Sequence, residues 1–192
     1  MIDMAKVYIF LADGFEEAEA MIPVDVLRRG GIDIKTVSVN GSMQVTGSHG
    51  VTMTADLVFE QTDLADATLL ILPGGLPGAT NLNDHEGLKD ALLAHNSRGG
   101  KIAAICAAPL VLGGLGLLRG RPATCYPGFE GYMTGAEYTH ELCTVADNIT
   151  TGEGPAAAFP FAYALLSQLA GEDKAREVAE GMMYLHLMKS KG

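Results

Sequence analysis

The chain has 192 residues, of which 48% are apolar and 19% charged, and a formal net charge of −10. A chain of that length can bury about 70% of its extended surface, enough for one core, and its apolar content excludes a disordered tract or a coiled coil. Thirteen basic residues against 23 acidic ones, with no Lys/Arg cluster, argue against nucleic acid or an anionic membrane as partner.

The predicted elements alternate. Lys6–Leu11 is a β-rich apolar run, and Glu16–Arg29 has helical spacing and stops at Gly30-Gly31. Asp33–Val39 alternates as a strand and ends in an Asn40-Gly41 turn. Met43–Val45 and Val51–Thr54 suit a small hairpin or edge ribbon. Thr68–Leu72 is a buried strand, His85–Arg98 a helix, Lys101–Ile105 a strand and Pro109–Leu118 a helix. Thr144–Thr151 reads as a late strand, and Ala156–Ala170 and Asp173–Met188 as closing helices. This order predicts one α/β domain over residues 1–192, with a mostly parallel sheet covered on both faces. Ile102 to Leu118 runs 17 residues without a charge, near the lower limit for a membrane span. Pro109 and three glycines break it, so it reads as a buried strand running into a buried helix. Met1–Lys6 has no basic, apolar leader, so no secretory signal is expected. Three cysteines (Cys106, Cys125 and Cys143) form no C-x-x-C pair, which suits a reducing, cytoplasmic setting.

In a sheet of this kind, chemistry gathers at the C-terminal ends of the strands. There Ala104-Ile105-Cys106-Ala107-Ala108-Pro109 joins a strand to a helix, with small residues two positions either side of the cysteine. That is the steric pattern of a nucleophile elbow. A thiol so placed faces a helix start, which would lower its pKa. Cysteine is also a common buried hydrophobe, and local sequence leaves the two readings level. Glu16-Glu17-Ala18-Glu19 follows the first strand; its carboxylates complement a helix dipole or serve a site. Pro23 lies four residues beyond Glu19 and would crowd its carbonyl, so a distorted backbone is expected there. Leu72-Pro73-Gly74-Gly75 can turn backbone amides toward an oxyanion. Gly152-Glu153-Gly154-Pro155-Ala156-Ala157 matches a dinucleotide fingerprint with Glu172 at the right remove. No strand follows to complete the βαβ unit, and Glu153 would face the phosphates, so no nucleotide cofactor is expected. The five histidines show no metal-ligand spacing, so no metal is expected either.

Together GFEEAEAMIPVDVLRRGG at 14–31, LILPGG at 70–75, AAICAAP at 103–109 and TGEGPAAAFPFA at 151–162 resemble the ThiJ/PfpI superfamily. The likeness is to the branch of the parkinsonism-associated protein deglycase and its bacterial homologues. It implies a flavodoxin-like three-layer sandwich and a homodimer. It implies that Cys106 is the reactive cysteine, with Glu19 hydrogen-bonded to it. Gly74, Gly75 and Ala107 would supply backbone donors near the sulfur; Tyr126, Glu16 and Arg28 are secondary candidates. The implied activity is a cofactor-independent glyoxalase or deglycase acting on methylglyoxal or glyoxal through a Cys106 hemithioacetal. The alternative is an oxidative-stress sensor or protective chaperone whose Cys106 becomes a sulfinate. The partner would be a small reactive carbonyl or an oxidant. Two departures stand out. Ala107 replaces the histidine that follows the cysteine in the protease branch, so a Cys–His peptidase is not expected. Tyr126 stands where the deglycase branch commonly has a histidine, and a tyrosine is ordinarily a poor base at neutral pH. Glu19 is then left to move the proton alone. Cys125 adjoins that position, which raises a resolving role for it. Whether Arg28, Arg29 and His49 line the pocket is left open.

Overall fold

The structure is a computed structural model that describes residues 5–190. Its centre is a seven-stranded sheet in the order β10-β11-β7-β6-β1-β2-β5. These strands are β1 (Lys6–Leu11), β2 (Asp33–Ser38), β5 (Leu57–Val58), β6 (Leu69–Leu72), β7 (Lys101–Ile105), β10 (Cys143–Ala146) and β11 (Ile149–Gly152). All neighbours run parallel except β10, which pairs antiparallel with β11. Two small ribbons lie outside it. One is the antiparallel hairpin of β3 (Gln44–Thr46) and β4 (Thr52–Thr54); the other is the parallel pair β8 (Pro122–Ala123) and β9 (Glu137–Tyr138).

The unbroken apolar strands resolve into two alternating sets, one for each face. Val7, Ile9, Leu11, Ile71, Ala103 and Ile105 face a core shared with α1 (Glu17–Arg29), α5 (Ala158–Ala170) and α6 (Glu172–Gly181). Phe10, Leu70, Leu72, Ile102 and Ala104 face a second core shared with α2 (Gly78–Asp84), α3 (Glu86–Ser97) and α4 (Pro109–Gly114). This is the expected three-layer sandwich.

Several expectations need correction. The segment 144–151 is not one strand but a hairpin, because Asp147 turns the chain at φ 53° and β10 folds back on β11. The last helix breaks at Met183, which sits at φ 61°, and resumes as α7 (Tyr184–Lys189). The charge-free run 102–118 divides into β7 and a six-residue α4, and no described helix is long and apolar enough to cross a membrane. The backbone at Glu19 stays helical: α1 continues through Pro23, which removes the one N–H that would have met the Glu19 carbonyl.

Candidate active site

Cys106 follows β7 directly with φ 66°, a left-handed conformation that costs a non-glycine residue about 1–3 kcal/mol. Its backbone is fixed on both sides. The Cys106 N–H donates to the Gly152 carbonyl at 2.9 Å, and the Tyr126 N–H donates to the Cys106 carbonyl at 2.9 Å. Ala104 and Ala108 are fully buried at the elbow, where larger side chains would not fit.

Glu19 lies in the first turn of α1 with no exposed surface. The Gly74 N–H donates to its Oε2 at 2.8 Å, so that amide serves the carboxyl rather than the sulfur. Its Oε1 is buried without a hydrogen-bond partner of full geometry among the described residues. The Cys106 thiol is the side chain that reaches this carboxyl, as a looser contact. Gly74 separates the two groups. A Cβ there would lie 2.7 Å from both Cys106 Cβ and Glu19 Oε2, so only glycine lets the acid and the thiol approach.

Burial drives the electrostatics of this pair. It pushes the Glu19 carboxyl up to about 7, against the pull of Cys106 and the Gly74 N–H, with Glu16 adding repulsion. Burial also pushes the Cys106 thiol up, followed by repulsion from an ionised Glu19. The helix start therefore does not acidify the thiol as expected: α4 is short, and desolvation outweighs it. The two groups share a site that tolerates one negative charge near neutrality. When Glu19 holds the proton, repulsion disappears, and the N–H groups of Gly75 and Ala107 stabilise a thiolate.

The cavity above the sulfur has a volume of about 250 Å³. Gly75, Leu76, Cys106 and Ala107 line its base; Tyr126 and Phe129 form one wall; Glu16, Ser48 and His49 form the opposite side. Two other depressions adjoin it: one of about 280 Å³ shares Tyr126, and one of about 530 Å³ shares Leu76 and Phe129. Neither contains the cysteine, so chemistry rather than size marks the site.

His49, whose place the sequence left open, lines the wall. The β3–β4 hairpin carries it, and that hairpin is tied to the loop before α1. Gly14 N–H donates to the Thr46 carbonyl at 2.8 Å, Thr46 N–H to Asp13 Oδ1 at 2.9 Å, and Ser48 N–H to the Phe15 carbonyl at 2.8 Å. Gly47 permits the close approach, since a Cβ there would fall 2.7 Å from Glu17 Cγ. The His49 N–H then donates to Glu17 Oε1 at 2.9 Å, and Nδ1 meets Glu17 Oε2 at 2.8 Å. Glu17 is held down at about 2: burial opposes this, but the hydrogen bond from His49 and the backbone N–H groups prevail. Ligand-type atoms of Glu16, Glu17 and His49 lie within 4.8 Å of one another, a grouping invisible in the spacing. The Glu17–His49 hydrogen bond already occupies Nδ1, so the cluster is a hydrogen-bonded dyad before it is a cation site.

The other candidates separate. Arg28 lies at the far end of α1, bonded to Asp56 at 2.8 Å and to the Ile34 carbonyl at 3.2 Å, and does not line the cavity. Cys125 is buried in the second core, and burial pushes its thiol up to about 12, which suits packing rather than resolution of a Cys106 oxide. The Gly152–Ala157 loop turns into a short 3-10 helix, with Glu153 on the neighbouring apolar depression.

A mostly parallel α/β sheet with a positive-φ cysteine at a strand–helix elbow and a buried glutamate beside it defines the class of fold and candidate site. Residues 5–168 match the DJ-1/PfpI family, and the chain belongs to that family. It is 37% identical over 177 residues to the Drosophila melanogaster protein dj-1beta, covering 91% of this chain and 95% of that one. It is 39% identical to the Arabidopsis thaliana protein DJ-1 homolog B, of which it spans 40%. A Pyrococcus abyssi protein named as a deglycase is 36% identical over 134 residues, or 68% of this chain and 78% of its own. The crystal structure of Drosophila DJ-1beta superposes with a TM-score of 0.89 at 34% identity, covering 94% of this chain and 98% of that one. That of oxidized Toxoplasma gondii DJ-1 gives 0.90 at 33%, covering 93% and 98%.

Proposed function

We propose that the protein converts small α-oxoaldehydes such as methylglyoxal to hydroxy acids without a cofactor, through Cys106. The observation that carries this reading is the buried Glu19 carboxyl facing the Cys106 thiol across Gly74, at the base of a small cavity. The ionised Glu19 takes the thiol proton as sulfur adds to the aldehyde carbon and passes it to the carbonyl oxygen, giving a hemithioacetal and an ionised Glu19 again. Glu19 then moves the proton from the former aldehyde carbon to its neighbour, while the hydroxyl proton of the first carbon passes to the oxygen of the second. The product is a thioester isomeric with the hemithioacetal, so no external oxidant or reductant is needed. Water cleaves it to the hydroxy acid and regenerates the thiol. The Gly75 and Ala107 N–H groups support negative charge on sulfur. The deglycase name of the Pyrococcus relative fits the same chemistry on adducts of these aldehydes. The test is lactate formation from methylglyoxal by protein with Cys125 and Cys143 replaced by serine, compared with the same protein carrying Cys106→Ser. Lactate from the first alone supports the reading; equal or absent lactate sinks it.

A second reading is favoured by the unpartnered Glu19 Oε1 and the amides turned toward sulfur. Here peroxide oxidises Cys106 to a sulfenate with release of water, and a second peroxide gives the sulfinate. A protonated Glu19 would donate to one of the new oxygens. Graded peroxide followed by peptide mass tests it: two oxygens gained selectively on Cys106 support it, and unselective oxidation removes it.

A further inference from the structure

Hydrolysis of the Cys106 thioester needs a group that takes a proton from the attacking water. Glu19 is closed to bulk water, with no exposed surface. His49 is not: its side chain is 69% exposed and lines the same cavity as Cys106. Its Nδ1 is bound by Glu17, which accepts the ring hydrogen and leaves Nε2 as the free nitrogen. A carboxylate that fixes one ring nitrogen so that the other can exchange protons is the working half of a hydrolytic triad.

We infer that the Glu17–His49 dyad is the second proton carrier of the site, with His49 as the general base for the hydrolysis of acyl-Cys106. The inference rests on the thioester route above. His49 Nε2 takes one proton from water as its oxygen bonds to the acyl carbon. The tetrahedral adduct then breaks its C–S bond, and the same proton passes from Nε2 to the departing sulfur. The hydroxy acid and the Cys106 thiol are the products, and every proton is accounted for. His49 faces Glu16 at the N-cap of α1, Glu17 in its first turn and Ser48 on its own turn, with Tyr126 and Cys106 on the other sides of the cavity. The hydrogen bond to Glu17 and the charges of Glu16 and Glu17 hold the imidazole above its ordinary value. Hydrolysis should therefore speed up as pH rises through that raised value, where His49 becomes neutral. Glu17 thus orients the base and sets the pH at which it works.

The experiment uses full-length protein with Cys125 and Cys143 replaced by serine, methylglyoxal as the probe, and an acid quench. A hemithioacetal reverts on denaturation, whereas a thioester stays on the Cys106 peptide and is weighed. His49→Gln is expected to accumulate the acyl peptide and to release lactate about 10²-fold more slowly. Imidazole added to His49→Ala should restore part of the rate, which a merely structural role would not allow. Glu17→Gln should move the pH limb of hydrolysis downward. If the parent forms lactate and His49→Gln matches it without acyl accumulation, the dyad assignment is overturned while the thioester route stands. Loss of turnover in both histidine variants with no acyl peptide and no imidazole rescue also overturns it. A parent that forms neither lactate nor an acyl peptide overturns both.

Discussion

Glu17 and Glu19 lie two residues apart on the first turn of one helix, yet their carboxyls are driven in opposite directions. Glu17 reaches toward the cavity mouth only as far as His49, which with backbone N–H groups holds it at about 2. Glu19 points to the floor, where burial lifts it to about 7 and one amide does not offset the loss of water. Desolvation raises both, so the number of donors decides which carboxyl stays charged. In the route proposed above, the floor is a proton reservoir for the cysteine, and the mouth a fixed anion that orients a histidine. Division of labour between neighbouring acids is a common basis of acid–base chemistry.

The largest expected effect tests the floor. Cys106→Ser should lower lactate formation at least about 10³-fold, measured by coupled assay, because the nucleophile is lost. Gly74→Ala comes next. Its methyl would wedge between Cys106 and Glu19, and activity should fall on the order of 10²-fold, with a stability loss of about 1–3 kcal/mol in denaturant melts. Glu19→Gln should slow turnover by at least about 10²-fold and remove the rise in Cys106 alkylation rate that the parent shows through about pH 7.

The same variant sharpens the contrast in stability. The folded state holds the Glu19 proton more tightly than the unfolded chain, whose value is near 4.5, so stability should fall as pH rises from 4.5 to about 7. The drop is up to ~3 kcal/mol for a shift of that size, and Glu19→Gln should abolish it in denaturant midpoints taken against pH. The mouth has the opposite sign. The contribution of Glu17 is present above pH 4.5 and lost as pH falls toward 2, so Glu17→Gln should flatten the acid limb. Its His49 should also titrate lower, which proton NMR of the ring would report. The smallest effect is outside the site: Cys125→Ser should leave turnover within about twofold, since that thiol packs in the other core.

Much of the framework was legible because apolar runs and glycine stops are local signals. The parallel strands followed from strand–helix alternation with unbroken apolar strands, and the elbow pattern at Cys106 from residue size, since Ala104 and Ala108 leave room for the turn. Glu19 followed from its resemblance to a family, joined to its place after the first strand. The hairpin at 143–152 and the break at Met183 were missed because each depends on a single non-glycine residue with positive φ. The place of Arg28 stayed open in the sequence because only the folded helix shows that its length carries the guanidinium away from Glu19 to Asp56.

What the sequence determined by itself is the layered sheet and the small residues that let the chain turn at Cys106, the candidate nucleophile. Those follow from side-chain size and periodicity along the chain. Tertiary structure decided the chemistry around the sulfur. Only the folded chain seals Glu19 from water, spends the Gly74 amide on it, and lays the hairpin over α1 so that His49 meets Glu17. Proton affinity depends on desolvation and on donors brought from distant segments, and neither is written in local spacing.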